Sequence, residues 1–322
     1  MKVLVTGATG YLGRAVVAAL ASAGHEVVAF ARAASAADLP ALRFDGDVRD
    51  AGALARAAAG CAAIVHTAAL VAVWRKHANE FDEVNVGGLR NVLNAAGQAG
   101  VSRVVYTSSF LARPPAGMAA TPVWNDYQRT KAAAAAVAEE AAARGAPLVR
   151  LFPGVIYGPG RMTDGNLLGR LVTDHLTGRL PGLVGSARIW SFAYVEDVAA
   201  AHVAALERGA IGRCYDLGGE NAPSMKAFEI VRDLTGRPLP RRLPTWLAAS
   251  VAFGEETLAR WFGRPPRVTT GTLEILLHDW PLDNGLAEAD LGYRVTPLTE
   301  GVGRMLRSLQ ANGAIPAGTV RP

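Results

Sequence analysis

Only two of the 322 residues are cysteine, Cys61 and Cys214, and they fall in different halves of the chain. That excludes a disulfide-stapled scaffold and a cysteine metal cluster. It fits a reducing compartment in which both thiols are small core residues. The six histidines, His25, His66, His77, His175, His202 and His278, show no metal-ligand spacing, so no metal is expected. There is no Gly-x-Ser-x-Gly elbow for a serine hydrolase. No dense Lys/Arg run and no basic stripe interleaved with aromatics appears, which excludes a nucleic-acid partner. No uninterrupted apolar stretch reaches the roughly 18 residues of a membrane span, and no membrane partner is expected. The chain opens directly into the strand-like MKVLVTGATG, without an apolar segment before a small-residue cleavage site. The expectation is therefore no signal peptide and a cytoplasmic location.

What is present is apolar mass. Half of the residues are hydrophobic and 19% are charged, which supports a large buried core and argues against disorder. The formal charge of +5, with a pI near 9.5, is a mild excess that suits anionic small molecules. The first half alternates short apolar runs with helical patterns. Strands are expected at 2–6, 26–31, 41–45, 63–66, 103–107 and 147–151. Helices are expected at 11–23, 50–59, 80–99 and 125–144. This alternation predicts an α/β fold, a doubly wound parallel sheet of the Rossmann type with right-handed crossovers. After Leu151 the rhythm breaks and Gly and Pro become denser, as in PGVIYGPG, GRLPGLVG and GRPLPRRLP. Further helices are expected at 198–206, 244–262 and 269–277, and a returning strand at 213–217. The expected division is a dinucleotide-binding domain over 1–160 and a smaller, mostly helical substrate-binding lobe over 161–322. About 192–220 of that lobe returns to the first domain.

Between the first strand and first helix lies Thr6-Gly7-Ala8-Thr9-Gly10-Tyr11-Leu12-Gly13. Gly7 permits a tight turn, Gly10 lets the backbone approach a pyrophosphate, and Gly13 lets the helix pack on the strand. Thr9, Tyr11 and Leu12 complete a helix start whose free N–H groups suit phosphates. The second strand, EVVAFAR, ends in Arg32, where an acidic residue would favour NAD. A guanidinium there suits a 2′-phosphate, so NADP(H) is the preferred cofactor with NAD(H) as the alternative. Arg14 adds charge nearby. Asp47 after the third strand can accept a bond from the adenine amino group, with Val48 beside the ring; a turn or N-cap role for Asp47 is the other option.

Tyr127 and Lys131 lie one helical turn apart and share a face. A nearby ammonium favours a phenolate, so Lys131 is expected to pull the Tyr127 pKa down and to hold the nicotinamide ribose. Ser109 ends the apolar run VVYTSS, at the carboxyl end of a strand where open α/β sheets bind ligands. Its hydroxyl can orient a substrate oxygen.

In order, the elements TGATGYLG, GDVRD, HTAA, NVGGLRNVL, VVYTSS, YQRTK, RLFPGVIYGPG, FAYVEDVAAAH and YDLGGEN run along the chain. Over nearly its full length it resembles the extended short-chain dehydrogenases/reductases, the NAD-dependent epimerase/dehydratase superfamily. The resemblance implies Tyr127 as catalytic acid/base, Lys131 as its partner and ribose ligand, and Ser109 as substrate orienter. It implies that Thr67, Ala68, Ala69 and Thr107 pass close to the cofactor and that Pro153, Gly154 and Val155 border the nicotinamide. Asn85 takes a positioning role, and Asp197 ties a loop to a helix start. A homodimer through a helical face is also an expectation of the resemblance.

Within that family, Phe110-Leu111 follow Ser109 where sugar-nucleotide dehydratases carry an acid, and the stretch from Ser109 to Tyr127 is short. The pocket residues expected are Val71, Trp74, Phe110, Trp124 and Trp190, an apolar wall that fits a hydrophobic ketone, aldehyde or alcohol. The pattern resembles the dihydroflavonol reductase and 3β-hydroxysteroid dehydrogenase branch, which the tail segments PTWLAASVAFGEETLARWFG, RPPRVT and ADLGYRVTPLTEGV also fit. Arg161 and Arg188 keep open an NDP-sugar epimerase with tightly held NAD. A non-catalytic dinucleotide sensor is the third reading, although it would not need the Tyr/Lys pair.

Overall fold

Alternating apolar residues on short strands, covered on both faces, generate the main sheet. The structure, a computed structural model, describes residues 1–321. Seven strands run parallel: β1 (Lys2–Thr6), β2 (Glu26–Ala31), β3 (Leu42–Asp45), β4 (Ala63–His66), β5 (Arg103–Thr107), β6 (Leu148–Pro153) and β9 (Cys214–Leu217). Their order is β3-β2-β1-β4-β5-β6-β9. The order reverses between β1 and β4, and such a switch point opens a crevice at the carboxyl ends of the strands.

The pleat divides the core in two. Val3, Val5, Val65, Val105 and Val149 face one side, where α1 (Tyr11–Ser22) and α7 (Val195–Arg208) cover them with Val16, Val17, Leu20 and Val198. Leu4, Ile64, Val104 and Leu148 face the other, under α2 (Ala51–Ala58), α4 (Gly88–Ala99) and α5 (Asp126–Ala143). The expected helix over 80–99 is divided. A short α3 (Asn79–Phe81) runs into a π-helical segment, Asp82–Gly87, before α4. π-turns of this kind often mark functional positions.

The remaining chain holds a feature the sequence reading did not anticipate. Three short strands, β7 (Val155–Tyr157), β8 (Ile189–Tyr194) and β10 (Glu220–Pro223), form a second sheet in the order β10-β8-β7. They are three to six residues long and flanked by Gly and Pro, too short for a clear period of two. Around this sheet pack α6 (Leu167–Leu176), α8 (Ser224–Thr235) and α12 (Leu298–Ala311). Asp197 accepts from the Thr296 N–H at 2.7 Å and hydroxyl at 2.9 Å, tying that loop to the start of α7. The tail also supplies α9 (Thr245–Phe262), α10 (Thr270–Leu276) and α11 (Gly285–Leu291).

Two buried histidines lock this frame. His66 Nδ1 lies 2.7 Å from Thr6 Oγ1, linking β4 to β1. His202 Nδ1 lies 2.7 Å from the Val198 carbonyl, so it donates, and Nε2 accepts from Thr107 Oγ1 at 2.8 Å. Burial, helped by the Lys131 charge, lowers the His66 pKa to about 3; burial also lowers that of His202 to about 4. An unfolded histidine protonates near pH 6.5 while these folded ones stay neutral. The unfolded state therefore binds more protons below pH 6.5, and stability falls with pH until the folded values are reached. The slope is up to about 1.4 kcal/mol per pH unit for each histidine. Urea unfolding at pH 7, 6 and 5 checks this. The expected result is a falling midpoint, and an unchanged midpoint contradicts neutral, buried rings.

Candidate active site

The glycine loop sits at the switch point because the backbone passes itself there with no room for side chains. Gly7 has φ +72°, and a Cβ on it would lie 2.6 Å from the Ala68 nitrogen. A Cβ on Gly13 would collide with the Gly7 carbonyl. Thr67 follows β4 and donates from Oγ1 to the Thr6 carbonyl at 2.8 Å, so Thr67 and Ala68 are pinned against the loop. Gly10 caps α1 without a side-chain bond, leaving the first-turn N–H groups, those of Tyr11 and Leu12 included, without helical partners. These features fit a dinucleotide whose phosphates take the helix N-terminus.

The adenosine end is less simple. Arg32 is exposed just past β2, and none of its side-chain hydrogen bonds is seen among the described residues. Asp47, expected to accept from adenine, is held by Arg49 at 2.8 and 3.0 Å and also accepts from the Arg49 N–H. That grip, with a contribution from Arg32, holds its carboxyl below the usual range. Val48 is buried against Gly88. Arg14 donates to the Thr9 and Asp38 carbonyls, which turns its guanidinium into a tie across the loop. Thr9 thus holds Arg14 through its own carbonyl oxygen.

At the other end, α5 is capped by Asn125, whose Oδ1 accepts from the Gln128 N–H at 2.8 Å. The helix therefore begins next to Tyr127 and presents it with Lys131. Ser109 caps a short 3₁₀ turn, Phe110–Ala112, by accepting from the Leu111 N–H at 3.2 Å. The Asn85 side chain, within the π-turn, accepts from the Leu70 N–H at 2.7 Å. It donates to Thr130 Oγ1 at 3.0 Å, beside Lys131. Pro153 ends β6 and Val155 opens β7, with the Gly154 N–H donating to the Leu217 carbonyl at 3.0 Å.

One electrostatic expectation is overturned. Lys131 does not pull the Tyr127 phenol down. Burial pushes Tyr127 up to about 12, against a smaller lowering contribution from the neighbouring Ser109 side chain. Lys131 is itself buried and lowered to about 8. Its Nζ donates to the Thr107 carbonyl at 3.3 Å and stands 6.0 Å from the Tyr127 ring centre. Desolvation of both groups outweighs their coupling.

The expected substrate residues separate into two sets. Phe110 meets Trp280 edge-on at 5.2 Å, and Trp124 meets Trp280 edge-on at 6.3 Å and His278 at 4.4 Å. Trp74 and Trp124 line a cleft of about 280 Å³ together with Thr269, Thr270 and Gly271. Val71 lies on the same half-buried segment as Trp74, and Ala69 precedes it. Trp190 is different: it is buried in the core around the second sheet, packed on Phe192 at 6.0 Å. A backbone bridge joins it to Trp280, which is as deeply buried. Trp280 and His278 were the residues missed, because they lie in an aperiodic connection that nothing local ties to Ser109. Arg113 was also missed; it pairs with Asp216 at 3.0 Å and lies over the Phe152 ring at 4.2 Å.

A parallel sheet with a glycine cradle at its switch point, beside a Tyr/Lys/Ser cluster, defines a dinucleotide-dependent α/β enzyme. The description "NAD dependent epimerase/dehydratase family" matches residues 3–218, and the chain belongs to that family, the extended short-chain dehydrogenases/reductases. It is an NAD(P)-dependent oxidoreductase by class. It is 34% identical to "Sterol demethylase protein B" of Methylococcus capsulatus, covering 91% of this chain and 93% of that one. It is 30% identical to "Putative dihydroflavonol 4-reductase" of Synechocystis sp., over 97% of this chain and 95% of that one. Among solved structures, that of gox2253 superposes with a TM-score of 0.82 at 31% identity, covering 98% of this chain and 99% of that one.

The buried ammonium carries a testable cost. A lysine with a folded pKa near 8 and an unfolded one near 10.4 disfavours its charged form in the fold, so stability rises as pH climbs between those values. Lys131→Met removes the penalty and is expected to raise stability at pH 7 by up to about 3 kcal/mol, less what the lost Thr107 bond contributed. Thermal midpoints at pH 7 and pH 10 check it. The gain shrinks at pH 10, and a destabilised variant at pH 7 overturns the reading.

Proposed function

We propose that this chain is an NADP(H)-dependent oxidoreductase that reduces a ketone or aldehyde with a hydrophobic body, or oxidises the matching alcohol. The observation that carries this is the aromatic wall of Phe110, Trp124 and Trp280, in which Phe110 directly follows Ser109 and Trp124 lies three residues before Tyr127. Such a wall fits an apolar ring system or chain better than a nucleoside diphosphate. Relatives named for a sterol and for a dihydroflavonol support it. Residues 1–160 would carry the dinucleotide and most of 161–322 the substrate.

Ser109 Oγ accepts from the Leu111 N–H, which leaves its hydrogen to donate to a substrate oxygen. Tyr127, kept neutral by burial, is in the protonation state that gives a proton to a carbonyl oxygen. Lys131 holds the ribose hydroxyls through its ammonium, present below about pH 8. A bound nicotinamide supplies the hydride for reduction and takes it up in oxidation. Gly7, Gly10 and Gly13 cradle the pyrophosphate, Thr67–Ala69 pass close to the cofactor, Pro153–Val155 border the nicotinamide, and Arg32 takes the 2′-phosphate.

The sugar-nucleotide alternative loses ground at its own residues. Arg188, one of the two arginines on which it relied, is paired with Asp279 at 3.4 Å. The sensor alternative leaves the Tyr127/Lys131 pair without a role.

Two measurements test the reading. Tyr127→Phe is expected to lower turnover of hydrophobic ketones by about a hundredfold or more, with NADPH affinity unchanged in a fluorescence titration. Retained turnover removes Tyr127 from the mechanism. Arg32→Ala is expected to weaken NADPH binding by about tenfold or more and to leave NADH binding as it was. Equal loss for both cofactors, or tight NADH binding without NADPH preference in the parent chain, counts against NADP(H).

A further inference from the structure

Helix α9 is packed inside out. It meets the rest of the protein through Ala248, Ala252 and Ala259, which are buried, while its large apolar side chains point to solvent. Trp246 is 70% exposed, Phe253 68%, Trp261 80% and Phe262 71%, with Val251 and Leu258 also exposed. At about 100° per residue these fall in one half of the helix circumference. The other outward residues in that arc are Leu247, Ser250, Gly254 and Thr257, so it holds no charged side chain. A contiguous apolar face of this size on a lone chain marks an interaction surface.

The charges around the face select its occupant. Arg241 and Arg242 precede the helix and Arg264 and Arg267 follow it, all exposed and without a salt bridge among the described residues. The nearby acids do not offset them. Glu255 accepts from the Arg267 and Val268 N–H groups, and Glu256 from the Thr270 N–H and hydroxyl, which turns both toward the 267–270 loop. A second copy is disfavoured: antiparallel or parallel pairing of two α9 faces sets cationic ends against cationic ends. An apolar arc with a tryptophan near each end and arginines beyond both ends is complementary to one kind of surface, an anionic lipid interface.

We propose that α9 seats this protein on anionic membranes, lying in the plane of the headgroups. No helix among the described residues is long and apolar enough to cross a membrane, and docking of this kind needs none. The cleft lined by Trp74 and Trp124 is also lined by Glu256 and Arg260, which lie on α9 outside its apolar arc, so the cleft stays clear of the docked face. The docking itself is independent of the proposed carbonyl chemistry.

Flotation of the full chain with vesicles of phosphatidylcholine alone, or with about one-third phosphatidylglycerol, tests it without substrate. The expected result is binding to the anionic vesicles, a blue shift of tryptophan fluorescence, and loss of binding at high salt. Trp261→Ser/Phe262→Ser is expected to abolish flotation, and Arg264→Gln/Arg267→Gln to lower the partition coefficient by about tenfold or more. Circular dichroism matching the parent shows that both variants fold. Absence of flotation at low salt overturns the proposal, as does flotation unaffected by either variant. A concentration-dependent dimer that Trp261→Ser/Phe262→Ser dissociates, in a chain that ignores vesicles, assigns the face to a second copy instead.

Discussion

The approach of the chain to itself at Gly7 is the constraint on which the site depends. The turn after β1 needs a positive φ, and it presses the loop onto the backbone of Ala68 after β4. Gly13 then brings α1 down onto the loop carbonyl, which aims the helix start along the crevice between β1 and β4. A side chain at either glycine would lift the helix or the loop and close the space that phosphates need. The Thr6–His66 and Thr67–Thr6 bonds hold the two strand ends at that separation. Every other site element is measured from there. β5 adds Ser109 one strand along, and α5 returns over β5 and β6 with Tyr127 and Lys131.

Holding the crevice this rigidly makes its polar groups expensive. His66, Lys131 and Tyr127 are all driven toward their neutral forms by burial, in a small region where β4, β5 and α5 meet. The protonation states of these three groups are thus set by desolvation and not by mutual attraction. That arrangement suits a group that must release a proton into a reacting oxygen and then regain it, because neither state is locked by a strong ion pair. It also explains the supporting bonds. Asn85 and Ser109 fix the backbone and helix around the site through neutral contacts, which orient without adding charge.

Much of this was legible in the sequence because it is local and periodic. The glycine spacing, the strand ending in Thr107-Ser108-Ser109 and the turn from Tyr127 to Lys131 each lie within a few residues. Their chemistry follows from the element that carries them. What was misread involves distance or environment. The fall in the Tyr127 pKa was inferred from adjacency on a helix, whereas the sign is set by the desolvation of both groups. Trp190 was placed in the pocket from composition, yet it belongs to a second sheet whose strands are too short to show a period. Trp280 enters the wall from 170 residues beyond Phe110. No local pattern records that approach, since it is fixed by the connection that follows α10.

The two sets of aromatics in the later half of the chain obey one rule. Trp124, Phe110 and Trp280 gather against one another, where each edge-on contact removes apolar surface that would otherwise meet water. Trp246, Phe253, Trp261 and Phe262 find no such partners, because α9 turns alanines inward and brings its backbone close to the neighbouring elements. Small residues on the packed face permit the close approach; large ones on the outer face are then surplus to folding. A helix built only to complete the lobe would place them the other way round. The outward set therefore answers to something beyond the fold.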